Sequence, residues 1–315
     1  MRLNSKFLGL AASALLVMAG PSIGADWEPS GDLKMQIGFA AGGSTDVMGR
    51  VLAKVMEEQT GWNIVAENKT GGGGVAMFTG IAKMPAKGNV IGVGVNMPIL
   101  VNLVNRGAEL PFDLDSFEYL GTISKAELAL VASKDAPFDD LKGLIEYAKQ
   151  NGGAPIAFSA PPQKLLMEVA ARESGAEFNM VTTKGGAENM QFILGGQVMA
   201  GFGSGEQLPY LESGDMKIIA GANEARLSYS PDTMTFVEAG INAYVDPYFF
   251  LATTKGTPPE AVEAIANAID AAMQSPEMAE VIDNSTKGNP LNLGAEGTKN
   301  MLVGGLENVK VLFQK

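Results

Sequence analysis

The stretch FAAGGSTDVMGRVLAKVMEEQTGWNIVAENKTGGGG, residues 39–74, contains two glycine clusters, and each lies between a strand-like run and a helix-like run. Before the first cluster, residues 33–40 alternate and then become apolar, as a strand entering the interior of a sheet does. After it, apolar residues recur at helical spacing from Ser44 to Thr60, and Gly61 provides a stop signal. The stretch therefore predicts two consecutive strand–loop–helix units.

The same alternation continues along most of the chain. It predicts further strands at residues 63–67, 90–95, 156–158, 178–181 and 198–202, and further helices at residues 73–84, 141–150, 165–173 and 188–194. The last part of the chain is helical, with predicted helices at residues 260–273, 276–284 and 298–313. Strands that alternate with helices over short loops predict an α/β fold with parallel, doubly wound sheets.

Two extended stretches without a helical pattern, residues 117–133 and 243–253, flank the middle α/β block. Such a pair is what two strands crossing between two domains would look like. The sequence therefore favours two α/β domains joined at a hinge.

The N-terminus has the pattern of a secretory signal peptide. Arg2 and Lys6 precede a short apolar run at residues 7–20, and small residues follow it. We expect cleavage after Gly24 or Ala25, so that residues 1–25 are the signal peptide. A retained N-terminal membrane anchor is the alternative, which the short apolar run disfavours. The chain has no cysteine, so neither a disulfide framework nor a lipid anchor on cysteine is available, and this composition suits a Gram-negative periplasm.

Charge and composition exclude several function classes. The whole chain has a net charge of -12, and loss of two basic residues and no acid with residues 1–25 makes this -12 - 2 = -14. An acidic body without a basic block argues against nucleic acid or an anionic membrane as partner. The absence of histidine excludes imidazole-based triads and His-bearing zinc sites. We therefore expect no enzyme, no cofactor and no metal site.

The first glycine cluster is followed by residues that suit an anion site. Backbone N–H groups at the start of a helix, with the positive end of its dipole, favour an anion, and glycine lets a ligand approach the backbone. The residues concerned are Gly42, Gly43, Ser44, Thr45 and Asp46. The alternative is an ordinary helix cap, with Ser44 or Thr45 capping and Asp46 complementing the dipole.

The second cluster, residues 71–74, repeats this arrangement after the next strand. In an open α/β sheet both loops lie at the carboxyl edge of the strands, where ligands bind. Neither loop matches a phosphate-binding or dinucleotide motif, and the segment GGSTD lacks the final glycine and the histidine partner of a nucleophile elbow.

The middle block offers matching groups at the ends of its own strands. Ser159 and Thr183 provide hydroxyls, Gly185 and Gly186 provide backbone N–H groups, and Lys184 provides a positive charge. The alternative for Lys184 is a solvated surface lysine.

Six segments carry a resemblance to a known family: GGSTDVMGRVLAKVMEEQTG, VAENKTGGGG, LPFDLDSFEYLGTIS, TKGGAENMQFILGGQV, PDTMTFVEAG and GTPPEAVEAIANAI. They resemble, in family order from about residue 33 to the C-terminus, the Bug or TctC-type periplasmic solute-binding proteins of tripartite tricarboxylate transporters. The resemblance implies the type II periplasmic-binding-protein fold, with domain 1 at residues 26–124 and 249–315 and domain 2 at residues 125–248.

The resemblance also implies a function. The protein would be a periplasmic monomer that captures a small carboxylate, a di- or tricarboxylate or a related organic acid, and delivers it to the membrane components of such a transporter. The alternative is a ligand-sensing accessory protein for a membrane histidine kinase. By this resemblance, one ligand carboxylate would be held by Gly42, Gly43, Ser44, Thr45, Asp46, Gly72, Gly73 and Gly74, and the distal end would be read by Ser159, Ala160, Thr183, Lys184, Gly185, Gly186 and Ala187.

Four features differ from the family pattern. The loop at residues 158–164 is shorter than the family's, has prolines and lacks a histidine, Thr183 replaces a tyrosine, Glu188 replaces a proline, and Phe250 replaces a small residue. By the resemblance, all four lie on the distal or hinge side, so the residues that hold the carboxylate are carried over but no particular ligand is implied.

Overall fold

The computed structural model describes residues 27–313, and its strands form two five-stranded sheets. The strands are β1 (Leu33–Ile37), β2 (Ile64–Asn68), β3 (Val90–Val95), β4 (Phe117–Lys125), β5 (Ala129–Ser133), β6 (Ala154–Phe158), β7 (Phe178–Thr182), β8 (Ala200–Gly203), β9 (Met216–Gly221) and β10 (Tyr248–Thr254). The first sheet has the order β2-β1-β3-β10-β4, and the second has the order β7-β6-β8-β5-β9.

Helices flank both sheets. They are α1 (Ser44–Thr60), α2 (Val75–Ile81), α3 (Asn96–Arg106), α4 (Leu141–Gln150), α5 (Pro161–Ser174), α6 (Gly186–Leu194), α7 (Leu208–Glu212), α8 (Pro259–Met273), α9 (Pro276–Thr286) and α10 (Gly294–Leu312). The predicted α/β class is thus confirmed.

The sheets are mixed: the predicted parallel strands are present, and each sheet also contains antiparallel pairs that the sequence did not predict. Strands β1, β2 and β3 are parallel, as are β6, β7 and β8, but β10 is antiparallel to β3 and β4, and β5 is antiparallel to β8 and β9. Each antiparallel strand is the first one after the chain passes from one sheet to the other, at residues 126–128 and 222–247. A strand that follows a crossing begins at the edge of the sheet where the parallel strands end. It therefore runs antiparallel to them.

Helix α1 shows why the first unit folds as its sequence predicts. Met48, Leu52 and Met56 recur at helical spacing and are fully buried among the side chains of the first sheet and of α8 and α9. The helix ends at Gly61, which is left-handed (φ 76°) and donates its N–H to the Glu57 carbonyl at 2.8 Å. This packing fixes the start of α1 against the end of β1.

Phe250 lies in the core of the first sheet and not in a ligand site. It is 2 % exposed and stacks on Phe78, with ring centroids 5.1 Å apart and planes 8° apart. Its partner across the strands is Gly94, where a Cβ would lie 2.6 Å from the Phe78 ring. The large residue at position 250 is therefore accommodated by packing within the first sheet, in the strand that directly follows the second crossing.

Within residues 27–313, no helix combines the length and the apolar character that crossing a membrane requires. The predicted signal peptide, residues 1–25, lies outside the described residues.

Candidate functional site

The candidate residues follow the ends of parallel strands. Because β1, β2 and β3 are parallel, the two glycine loops and the start of α3 lie at one edge of the first sheet. Because β6, β7 and β8 are parallel, residues 159–160, 183–186 and 204–207 lie at one edge of the second sheet. In open α/β sheets this is the edge where ligands bind.

The two edges face each other, as the contacts around Ser285 and the packing of α3 against α5 show. The Ser285 carbonyl, near the end of α9, accepts a hydrogen bond from Ser44 Oγ at 3.4 Å, and a Cβ on Gly205 would overlap the same carbonyl oxygen. At the crossing, Asn96 Oδ1 accepts the Tyr248 N–H at 2.8 Å and Asn96 Nδ2 donates to the Asp246 carbonyl at 3.2 Å. The edges therefore border a common cleft.

Asp46 is a buried side chain that holds the first glycine loop by hydrogen bonds. Its side chain is 5 % exposed, its Oδ2 accepts the Gly42 N–H at 2.9 Å, and its Oδ1 accepts hydrogen bonds from Asn68 Nδ2 at 2.7 Å and Arg50 Nε at 2.9 Å. Burial alone would raise the pKa of Asp46, but the bonds from Gly42, Asn68 and Arg50 hold it below its ordinary value of 3.8. The ionised carboxylate has its partners within the protein, so its role is to hold the loop.

The start of α1 leaves backbone donors directed at the cleft edge. The N-cap is Gly43, with φ -82° and ψ 165°, and it has no side chain to cap the first turn. The alternative cap from Ser44 or Thr45 is not formed, since the Ser44 hydroxyl donates to Ser285 instead. A 17-residue helix adds the positive end of its dipole to these first-turn N–H groups.

The second glycine loop has a backbone that other residues rarely adopt. Gly71, Gly72, Gly73 and Gly74 all have positive φ values, 136°, 59°, 67° and 97°. A Cβ on Gly73 would overlap Pro98, which lies in the first turn of α3. The cluster is therefore required both by its conformation and by the close approach of α3.

The two glycine loops touch each other. A Cβ on Gly38, just after β1, would lie 2.8 Å from the Cα of Gly74. Asn68, the last residue of β2, donates to the Phe39 carbonyl at 3.0 Å as well as to Asp46. The first edge is thus a single surface of packed backbone.

On the second edge, several predicted groups bond within the protein. The N–H groups of Ser159 and Ala160 donate to Gln163 Oε1 at 2.8 and 3.2 Å. The Thr183 side chain is buried, and its Oγ1 donates to Asn189 Oδ1 at 2.6 Å. These residues shape the cleft wall more than they offer free polar groups to it.

Helix α6 begins at this wall. The Lys184 side chain is exposed, and its backbone N–H donates to Glu188 Oε2 at 2.6 Å. Gly186 and Ala187 form the first turn of α6, and a Cβ on Gly186 would overlap the carboxyl group of Glu206. The structure thus brings Glu206 into the set, a residue that the sequence reasoning missed. Gly203, the last residue of β8, and Gly205, just after the strand, were the signal that could have found it.

A groove of about 810 Å³ lies elsewhere, between the end of α3, residues 107–116 and α10, and none of the candidate residues lines it. Within residues 27–313, no cluster of three or more acidic side chains is placed to hold a metal ion.

Comparison with known proteins agrees with this architecture. Residues 48–314 match the family model TctC, described as tripartite tricarboxylate transporter family receptor. A Cupriavidus necator protein, the UPF0065 protein in the gbd 5' region, is 30% identical over 279 residues, which cover 87% of this chain and 84% of that protein. Protein BugT of Bordetella pertussis strain Tohama I is 29% identical over 268 residues, covering 82% of this chain and 81% of that protein.

Solved structures show the same fold. MatC from Rhodopseudomonas palustris, solved with bound malate, has a TM-score of 0.79 at 20% identity and covers 91% of this chain and all (100%) of its own. Another R. palustris protein, solved with adipate, has a TM-score of 0.79 at 23% identity and covers 91% of this chain and 97% of its own. The predicted fold, two α/β halves around a cleft, is confirmed, and the chain belongs to the TctC family of tripartite tricarboxylate transporter receptors.

Proposed function

We propose that the protein is a periplasmic solute-binding protein that captures a small carboxylate and delivers it to the membrane components of a tripartite tricarboxylate transporter. The family description and the two neighbours solved with malate and adipate support the ligand class. It acts as a monomer, by binding and without catalysis. The predicted signal peptide at residues 1–25 accounts for export.

The observation that carries the proposal is the paired geometry of the two glycine loops. Uncapped N–H groups of Ser44 and Thr45 lie at the positive end of α1, beside a loop whose four glycines are all left-handed. Bare backbone at a helix start binds an anion without a charged side chain, and a turn of glycines adds further donors. A small carboxylate fits such a site although the protein is acidic, because a small anion responds to the local field of its pocket.

The remaining candidate residues have supporting roles in this proposal. Gly42 and Asp46 fix the first loop, while Gly43 and residues 72–74 bring bare backbone to the carboxylate. From the other edge, residues 159–160 and 183–187 enclose the distal end of the ligand. Most of this second set contributes shape, since Thr183 and the Ser159 N–H are bonded internally.

Capture works by closure of two domains, residues 26–124 with 249–315 against residues 125–248. The two chain crossings are the connections about which such a movement turns. Closure buries the ligand between the edges, and the closed form is what the transporter recognises.

A thermal-shift screen tests the proposal. The chain from residue 26, unfolded and refolded to remove co-purified ligand, is screened against small mono-, di- and tricarboxylates, each with its matched amide. A ligand at about 100 times its Kd stabilises the protein by roughly 2.7 kcal/mol, which gives a clear shift. We expect a shift with an acid and none with its amide.

A double variant provides the control for the site. Ser44→Pro and Thr45→Pro together remove two first-turn N–H groups at positions where a helix tolerates proline, so the shift should be lost while the protein stays folded. If no carboxylate shifts the folded wild-type protein, or if acid and amide act equally, the proposal is overturned.

A further inference from the structure

The cleft wall opposite the glycine loops carries a carboxylate, and its position bears on which ligand the cleft accepts. This inference rests on the proposed function and concerns the distal end of the ligand. Glu206 follows β8 by three residues, at the edge where β6 and β7 also end. Its two carboxylate oxygens would lie 2.5 and 2.8 Å from a Cβ on Gly186, so the group rests directly against the first residue of α6.

The turn that bears Glu206 is held on both sides. Gln207 is fully buried, its Oε1 accepts the Gly205 N–H at 2.9 Å, and its Nε2 donates to the Tyr229 hydroxyl at 2.8 Å. On its other side Gly205 packs against the Ser285 carbonyl, the same carbonyl that Ser44 contacts. Glu206 is therefore held on a fixed turn beside the start of α1, within the cleft.

The charge of Glu206 is only partly compensated by the protein. Its Oε2 accepts the Ser204 N–H at 3.0 Å. Among residues 27–313, no hydrogen-bond donor reaches Oε1 and no lysine or arginine forms an ion pair with the group. The Glu206 carboxylate also lies at the start of α6, where the helix dipole would otherwise attract an anion. A negative charge of the protein itself therefore occupies this position.

We propose that Glu206 selects, among small carboxylates, those whose distal end is a cationic amine, and disfavours dicarboxylates. The glycine loops hold the single carboxylate, and the free oxygen of Glu206 accepts a hydrogen bond from the ammonium group at the other end. A second carboxylate at that end meets a like charge, which disfavours it.

Lys184 is the group that argues for the opposite preference, since it could pair with a distal carboxylate. Its side chain is exposed, however, and its neighbourhood at the start of α6 contains two carboxylates, Glu188 and Glu206. The local balance at this end of the cleft is negative, and a cation suits it better than a second anion.

Calorimetric titration with matched ligands tests the inference. For each chain length from three to six carbons, the ω-amino acid, the unsubstituted monocarboxylate and the dicarboxylate are compared on the chain from residue 26. At the best-fitting length we expect the amino acid to bind at least about tenfold more tightly than the dicarboxylate, as one close charge contact allows. Glu206→Gln should weaken the amino acid and strengthen the dicarboxylate by about fivefold or more each.

The design keeps folding and charge effects apart. Gln at position 206 can still accept the Ser204 N–H, so the turn is retained, and Glu212→Gln, an exposed acid on α7 close in sequence, should leave all affinities unchanged. The inference is overturned if the wild-type protein prefers the dicarboxylate, or if Glu206→Gln leaves the order unchanged. Binding of none of the three kinds at any length, together with no thermal shift for any other acid of the screen, would instead overturn the proposed function.

Discussion

The Asn68 Nδ2 atom lies 2.7 Å from Asp46 Oδ1, and this hydrogen bond joins the end of β2 to the first turn of α1. The same amide reaches the Phe39 carbonyl at 3.0 Å. One side chain therefore connects both glycine loops, which α1 and β2 separate in the sequence. The loops form one connected surface, held by a buried aspartate whose two carboxylate oxygens both accept hydrogen bonds.

Removing the aspartate should destabilise this surface. Asp46→Ala leaves the Gly42 N–H without its partner and removes one of the two hydrogen bonds that the Asn68 amide donates. We expect a loss of about 2–3 kcal/mol in the free energy of unfolding. Arg50 adds little to this loss, since its side chain is 45% exposed and solvated. Urea unfolding measures it, and Glu58→Ala on the exposed face of α1 should change stability by less than about 0.5 kcal/mol.

The same carboxylate should make stability depend on pH in the acid range. The folded-state pKa of Asp46 lies below its ordinary value of 3.8, so its stabilising contribution is complete above that value and is lost as the pH falls through the lower folded-state pKa. The stability difference between wild type and Asp46→Asn should be constant from about pH 7 to about pH 5 and shrink below about pH 4. A difference that grows on acidification would contradict the assignment.

The second glycine loop should not tolerate a side chain. Gly73→Ala places a methyl group on a left-handed residue against Pro98, and we expect a loss of about 1–3 kcal/mol and at least tenfold weaker carboxylate binding. Gly80→Ala is the matched control, since Gly80 lies in α2 with open space around it. This variant should be slightly more stable than the wild-type protein. Equal effects of the two substitutions on binding would show that the loop conformation is unimportant.

Phe250 should affect stability and not ligand choice. Phe250→Ala removes the stack on Phe78 and should lower the free energy of unfolding by about 3–5 kcal/mol. The order of carboxylate affinities, measured by calorimetry at a temperature where the variant is folded, should be unchanged. An altered order would place this residue in the ligand site after all.

Asn223 should stabilise the backbone where the chain crosses between the two sheets. It is 2 % exposed, its Oδ1 accepts the Leu128 N–H at 2.7 Å, and its Nδ2 donates to the Ala126 carbonyl at 3.0 Å and to Asp246 Oδ1 at 3.1 Å. Asn223→Ala should speed amide hydrogen exchange at Leu128 by at least tenfold, because that donor loses its partner. Asn242→Ala, at an exposed position on the same crossing, should leave exchange at Leu128 unchanged.

Local pattern was enough to predict much of the fold. Helix α1 and strand β3 have the bounds that periodicity and the glycine stop predict. The prediction missed α3, where Pro98 and a continuous apolar run obscure the helical period, and it missed β9. The antiparallel pairing of β10 depends on a neighbour more than 150 residues earlier in the chain, which periodicity does not report.

The sequence predicted the candidate residues of the site but not the hydrogen bonds between them. The sequence located both glycine loops, but the bonds of Asp46 to Asn68 and of Thr183 to Asn189 depend on how the loops pack. Glu206 belongs to no motif, and its position against Gly186 follows only from the alignment of β8 with β6 and β7. Tertiary contacts thus decide which of the candidate groups remain free for a ligand.

The four left-handed glycines also imply how such a protein can acquire a new cargo. Positions 71–74 have almost no freedom to mutate, since any side chain there is strained and, at position 73, blocked by Pro98. The opposite wall is built from side chains such as Gln163 and Glu206, which can be exchanged without disturbing a backbone of this kind. Variation in specificity should therefore accumulate on one side of the cleft only, and a library randomised at positions 159–163, 204 and 206, with Gly205 kept, is where altered ligand preferences should be sought.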